Sequence, residues 1–228
     1  MDPKQRAGEA SLQFVRDGMI VGLGTGSTAR FFISALATAL REGRLHNVRG
    51  VPTSLASEQL ARELDMPIVN FAQVQEVDVT VDGADEIAPG LALIKGLGGA
   101  LLREKLVAQN SRRLIIIADT SKVVDKLGTK SPLPVEVTVF GVEASERFLR
   151  GLGCLPVLRR KPDGTAFLTD NANYIFDCRF AGISDPDALN LLLCGRAGIV
   201  ESGLFLNLAT DAIVADKNGI RTLTRETP

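Results

Sequence analysis

Four short stretches hold residues whose types and spacing could do chemistry. The first is Gly22-Leu23-Gly24-Thr25-Gly26-Ser27-Thr28-Ala29. Glycines let a backbone come close to a ligand, amides that open a helix attract an anion, and Thr25, Ser27 and Thr28 add hydroxyl donors. A phosphate cradle over Thr25, Gly26, Ser27 and Thr28 is the natural chemistry; a tight turn with Ser27 as helix cap is the plain alternative. The stretch also matches a dinucleotide fingerprint loosely, as Gly24-x-Gly26-x-x-Ala29. That fingerprint needs an acid about 20 residues on, at the end of the second strand. Here that strand ends Gly50-Val51-Pro52-Thr53-Ser54, with no acid, and no lysine stands where a Walker A loop requires one.

The second stretch is Asp82-Gly83-Ala84-Asp85-Glu86. Carboxylates this close are costly unless they are exposed, paired or used. Proton transfer, a solvated acidic loop and a magnesium site all remain open on the residues alone. The third, Lys95-Gly96-Leu97-Gly98-Gly99-Ala100, sets a cation beside backbone amides and opens a helix. Glu104 follows about one and a half turns into that helix, reckoned at 3.6 residues per turn. It either faces a pocket or sits in a surface pair. The fourth, Asp119-Thr120-Ser121-Lys122, offers Lys122 to a phosphate or to solvent.

Composition narrows the chemistry. His46 is the one histidine, which excludes a histidine pair, a Ser-His-Asp set and a multi-histidine metal site within one chain. A general base must then be a carboxylate, lysine, cysteine or tyrosine. His46 itself, in a polar stretch, is expected on a surface loop. Cys154, Cys178 and Cys194 lie far apart, without a CxxC or zinc spacing, and are expected to be buried, reduced thiols. The 26 basic residues against 27 acidic ones point to neither a nucleic-acid nor a membrane-surface partner. No apolar run approaches the roughly 20 residues that span a bilayer. The start, Met1 to Arg6, leads into an amphipathic stretch rather than a signal core, so a cytoplasmic protein is expected.

These turns need a scaffold, and apolar periodicity supplies one. Helical spacing over 4–17 precedes a buried strand at 19–23. A helix follows through Leu40, a strand at 48–51, a helix near 57–64 and a strand at 77–82. A helix near 99–110 then leads into Leu114-Ile115-Ile116-Ile117-Ala118, the strongest strand signal in the chain. Such alternation predicts an α/β fold, an open, mainly parallel, Rossmann-like sheet flanked by helices. After Pro132 and Pro134 the pattern changes to a strand at 135–139, a helix at 143–152, and antiparallel strands at 155–159 and 174–178. The tail reads as a hairpin, 211–216 with 220–223, around Asn218-Gly219. The expected division is an α/β domain of 1–130 and 205–228, and a smaller α+β domain of 131–204 carrying an antiparallel sheet.

Taken in order, the turns resemble ribose-5-phosphate isomerase, type A family. The matching stretches are GLGTGSTA at 22–29, VDGADEI at 81–87, KGLGGALLREK at 95–105 and ADTSK at 118–122, continued by LPVEV at 133–137 and TDNANYIFD at 169–177. One such motif is weak; six in order, across nearly the whole chain, are specific. The resemblance implies reversible aldose–ketose isomerisation of ribose 5-phosphate and ribulose 5-phosphate through an enediolate. It implies Glu104 as the base that moves a proton between C1 and C2. Asp82 and Asp85 would open the sugar ring and handle hydroxyl protons, and Lys95 would sit beside the reacting oxygens. Thr25, Gly26, Ser27, Thr28, Gly83, Ala84, Gly96, Leu97, Gly98 and Lys122 would bind substrate, with Lys4 a further candidate for the phosphate. No metal or nucleotide cofactor is implied, and a homodimer or homotetramer is. A free glutamate, with a pKa of about 4.3, is a weak base, so exclusion of water around Glu104 is expected to strengthen it.

Two positions depart from the family pattern. Leu97 stands where many relatives carry glycine, and Ala172 replaces the glycine of a frequent TDNGN run. Three other readings stay in view. A phosphosugar-sensing domain would need a DNA-binding appendage, for which residues 1–18 are too short. A nicotinamide-dependent dehydrogenase lacks its ribose-binding acid. Aminosugar deaminases of similar fold use a histidine that His46 is poorly placed to supply.

Overall fold

A computed structural model describes residues 2–225. In chain order the elements begin with α1 (Pro3–Ala10), β1 (Ile20–Leu23), α2 (Ser27–Arg41), β2 (Arg49–Pro52), α3 (Leu55–Glu63) and β3 (Val79–Gly83). Next come β4 (Glu86–Ile87), β5 (Leu93–Ile94), α4 (Leu101–Gln109), β6 (Leu114–Asp119), β7 (Leu133–Val137) and α5 (Val142–Gly151). The remainder are β8 (Leu155–Leu158), β9 (Tyr174–Arg179), α6 (Pro186–Cys194), β10 (Ile199–Ser202), β11 (Leu204–Phe205), β12 (Asp211–Ala215) and β13 (Ile220–Thr224).

The chain forms two compact units. One comprises the described residues within Met1–Ala84, Arg103–Lys122 and Asn207–Pro228. Its sheet has the order β13-β12-β6-β3-β1-β2, parallel throughout except for the terminal hairpin strand β13. The central strand β6 is buried at Leu114 to Ala118, as a strand covered on both faces must be. Strand β13 is exposed at most positions, which suits a sheet edge. Helix α2 buries Ala29, Phe32, Ile33, Leu36 and Ala37, one stripe at helical spacing. Of these, Phe32, Ile33, Leu36 and Ala37 join Val21, Leu23, Val79, Val81, Ile115 and Ile117 in the core of this unit.

The second unit comprises Asp85–Leu102 and Val123–Leu206. It holds a four-stranded antiparallel sheet, β10-β7-β9-β8, and a small sheet, β11-β5-β4. Strand β8 alternates exposed and buried, as an edge strand with one covered face does. Its core gathers Leu133, Val135, Val137, Phe176, Leu189 and Leu193.

The α/β class, the parallel sheet, the smaller antiparallel sheet and the tail hairpin follow the sequence reading. Several details differ. Helix α1 stops at Ala10 and a 3-10 turn covers Ser11–Phe14, with the Ser11 hydroxyl donating back to Gly8 O at 2.6 Å. Helix α6 went unread, although Asp185 caps it by accepting the Ala188 N–H at 2.9 Å and Pro186 starts it. Cys154 and Cys178 are buried free thiols, but Cys194, at the end of α6, is exposed. His46 is exposed beside Asp17, with 3.4 Å between Nδ1 and Oδ2. No helix among the described residues is long and apolar enough to cross a membrane.

Candidate active site

In the first unit the chain runs from β1 through α2 to β2 on one side of β1, then crosses to β3 on the other. The carboxyl ends of β1 and β3 therefore flank the topological switch point, where open α/β sheets bind ligands. The 24–28 turn leaves β1 there, and Asp82 lies at the end of β3. Asp82 is 1% exposed. Its Oδ1 accepts the Thr25 N–H at 2.9 Å and the Gly83 N–H at 2.7 Å. Gly24 donates to Val81 O at 3.0 Å. A side chain at Gly24 would put Cβ 2.3 Å from Asp82 Oδ1, so the turn approaches this carboxylate as closely as glycine permits.

The turn then opens α2. Gly26, at φ 101°, is the residue before the helix, and no side chain caps it. The alternative of Ser27 as helix cap does not hold, because Ser27 already lies within the helix. An uncapped first turn leaves amides that suit an anion. Ser27 is exposed and its Oγ accepts from Lys4 Nζ at 3.1 Å, while Thr28 is half-buried. The Thr25 hydroxyl is built into the scaffold, 2.8 Å from both Thr53 Oγ1 and Ser54 Oγ. Those two residues were missed in the sequence; their signal was a hydroxyl pair directly after the second strand.

Lys122 ends a short 3-10 turn after β6 and is half-buried. Asp119 precedes it, with a carboxyl held below its ordinary range. Partial burial alone would push that carboxyl up. Hydrogen bonds from the Ser121 hydroxyl and N–H outweigh this, helped by the charges of Lys122 and Lys4. Two lysines thus bear on one carboxylate in the same unit as the uncapped helix. Glu104 is also in this unit. Helix α4 starts at Leu101 rather than Gly99, so Glu104 stands in its first turn, 4% exposed.

In the second unit, Asp85 Oδ2 accepts the Leu97 N–H at 2.9 Å. Gly96 has φ 102°, and a Cβ there would lie 2.9 Å from Leu101 Cβ, so that position requires glycine. Leu97 is absent from the left-handed positions and 40% exposed, so its larger side chain costs the turn nothing. Lys95 is 2% exposed, its ammonium 5.3 Å from the centre of the Phe205 ring. Phe205 carried no signal in the sequence. Gly83 and Ala84 are half-buried and belong to the first unit; Gly98 is exposed in the second.

Glu86, the last carboxylate of the acidic stretch, is fully buried in the second unit. It accepts N–H groups from Gly128, Lys130 and Ser131 at 2.6, 2.7 and 2.6 Å. Three amides satisfy it, and its work is to hold that loop. Among the described residues no group of three or more His, Cys, Asp or Glu is arranged to hold a metal.

A family model, ribose 5-phosphate isomerase A (phosphoriboisomerase A), matches residues 49–219. A protein of Roseiflexus sp. (strain RS-1), described as ribose-5-phosphate isomerase A, is 50% identical over 217 residues, 95% of this chain and 93% of that one. One of the same description from Gloeobacter violaceus is 51% identical over 222 residues, 97% and 95% of the two chains. A solved D-ribose-5-phosphate isomerase in complex with phospho-erythronic acid superposes with a TM-score of 0.96 at 38% identity, covering 98% of each chain. Ribose 5-phosphate isomerase from Plasmodium falciparum gives 0.95 at 37% identity, again over 98% of each.

Proposed function

This chain belongs to the ribose 5-phosphate isomerase A family and is an aldose–ketose isomerase of ribose 5-phosphate; from that premise we propose that Glu104 carries the proton between its C1 and C2. The activity belongs to the pentose phosphate pathway, and the substrate is a phosphosugar. Glu104 removes the C2 proton of the open-chain aldose and an enediolate forms. The same carboxyl then returns a proton to C1, while the hydroxyl proton passes from O2 to O1. Lys95, shielded from water, donates to the oxygens that gain negative charge, where a preorganised donor is worth most. As the furanose opens, Asp82 takes the O1 proton and gives it to the ring oxygen, so that one proton passes from O1 to O4, with Asp85 sharing the hydroxyl transfers.

The phosphate is held by amides and hydroxyls of the 25–28 turn with Lys122 and Lys4. Binding energy at that remote end fixes the reacting carbons. Gly83, Ala84, Gly96, Leu97 and Gly98 line the sugar through their backbone. No metal or nucleotide takes part in this scheme. The enzyme acts in the cytoplasm as a homodimer or homotetramer.

The observation that carries the reading is Glu104 itself, a carboxylate 4% exposed in a helix first turn. Glu104→Gln keeps the shape and removes the base. Turnover should fall at least roughly a hundredfold, the low end for acid–base catalysis. Phospho-erythronic acid, the ligand of the solved relative, should still bind when followed by calorimetry. Near-normal turnover would remove Glu104 from the role.

A further inference from the structure

Arg159 follows β8 in the second unit, and its side chain is 12% exposed. Nε and Nη2 donate to the two oxygens of Asp177 at 2.9 and 2.5 Å. Nη1 turns the other way and donates to Gly96 O at 3.0 Å and Leu97 O at 3.1 Å. The guanidinium carries five donor hydrogens in a fixed fork, and these contacts engage four of them. Its carbon lies 5.7 Å from the centre of the Phe167 ring. That ring in turn closes on Gly99, where a Cβ would meet it at 2.5 Å. The backbone is tied on both sides, Arg159 N–H to Ile175 O at 2.8 Å and Phe167 N–H to Arg159 O at 2.9 Å.

The turn after Lys95 is thus gripped at its carbonyls by Arg159 and at the Leu97 N–H by Asp85. We propose that Arg159 is a positioning residue for the isomerisation. Oriented by Asp177, it holds the Gly96 and Leu97 carbonyls and so fixes Asp85, through the Leu97 amide, and the neighbouring Lys95. It touches no reacting atom; it sets where two proton-handling groups stand. The inference rests on the roles given above to Lys95 and Asp85. An arginine is required because a lysine presents one point charge and cannot serve a carboxylate and two carbonyls in opposite directions.

The test uses the full-length enzyme and steady-state kinetics with ribose 5-phosphate. Arg159→Lys keeps a cation for Asp177 and loses the grip on the turn. Its kcat should fall about tenfold to a hundredfold, as misplacement of reacting groups by an ångström does, with KM changed less than about threefold. The double variant Arg159→Met/Asp177→Leu removes both charges together, so no buried ion is stranded if the lysine variant folds poorly. It should show the same split between kcat and KM, with an unchanged circular dichroism spectrum. Wild-type kcat in a folded variant, or a loss confined to KM, overturns the inference. Lys95→Met and Asp85→Asn are measured alongside. If these two lose turnover while both Arg159 variants keep it, the positioning role alone fails; if these two keep turnover, the underlying roles fail and the inference falls with them.

Discussion

The Thr25 amide donates to Asp82 Oδ1 at 2.9 Å, which makes the glycine-rich turn after β1 and the buried acid one hydrogen-bonded piece. The glycine between them is what allows the approach. Gly24→Ala would bring Cβ to 2.3 Å from Asp82 Oδ1 and 2.5 Å from Val81 O, so one of the two strand ends must move. Overpacking of this kind costs about 1–3 kcal/mol. The expected result is that loss in urea unfolding together with at least a roughly tenfold fall in kcat/KM. Full activity in a destabilised protein would show that the acid need not sit where the turn holds it.

Phosphate anchoring separates from chemistry in a second variant. Thr28→Val with Lys122→Ala removes one hydroxyl and one cation from the first unit. Hydrogen bonds involving a charged group contribute about 1.5–3 kcal/mol, so KM should rise at least roughly tenfold while kcat changes far less. An unchanged KM would move the phosphate elsewhere.

Ala172 has φ 59°, a left-handed conformation that a Cβ disfavours, at the position where family members often carry glycine. Ala172→Gly relieves that strain, against the greater freedom of glycine in the unfolded chain. A net gain of about 0.5–1 kcal/mol is expected in urea unfolding. Kinetics should be unaffected. A loss of stability would mean that the alanine methyl makes a contact worth more than the strain.

Glu136 is fully buried on β7, with Oε1 accepting from Thr169 Oγ1 and Asn173 Nδ2, both at 2.9 Å. Oε2 has no hydrogen-bond partner among the described residues. Burial pushes its carboxyl up, and the charges of Glu201 and Asp170 add to this, against the two hydrogen bonds. A carboxyl raised in the folded state contributes stability below its unfolded pKa, near about 4.3, and loses it as pH rises through the folded value. Glu136→Gln cannot ionise. Its unfolding free energy, compared with wild type at pH 5 and pH 8, should therefore fall less with rising pH. Identical pH slopes would mean that Glu136 ionises as readily folded as unfolded.

The parallel sheet was legible because Leu114 to Ala118 is a short run of mostly β-branched apolar residues, as a doubly covered strand is, and the 22–29 turn because glycines and hydroxyls follow a strand end. The acidic stretch was legible only as a group. Composition cannot tell that Asp82 holds a turn, Asp85 an amide and Glu86 the 128–131 loop, since partners more than 40 residues from Glu86 decide the last of these. Arg159 was invisible for the same reason: it meets Gly96 and Leu97 across more than 60 residues of chain. Cys194 misled because wide spacing without a CxxC pair says nothing about burial; it is exposed, as Leu191 and Leu192 near it are.

Strand β12, from the last part of the chain, lies between β6 and β13. On the ribosome, β6 is therefore made long before its neighbour. Until Asp211 to Ala215 emerge, one flank of Leu-Ile-Ile-Ile-Ala has bare amides and carbonyls, an open template for intermolecular pairing. The nascent protein must either be shielded by a chaperone over that interval or finish translation faster than two such flanks can find each other.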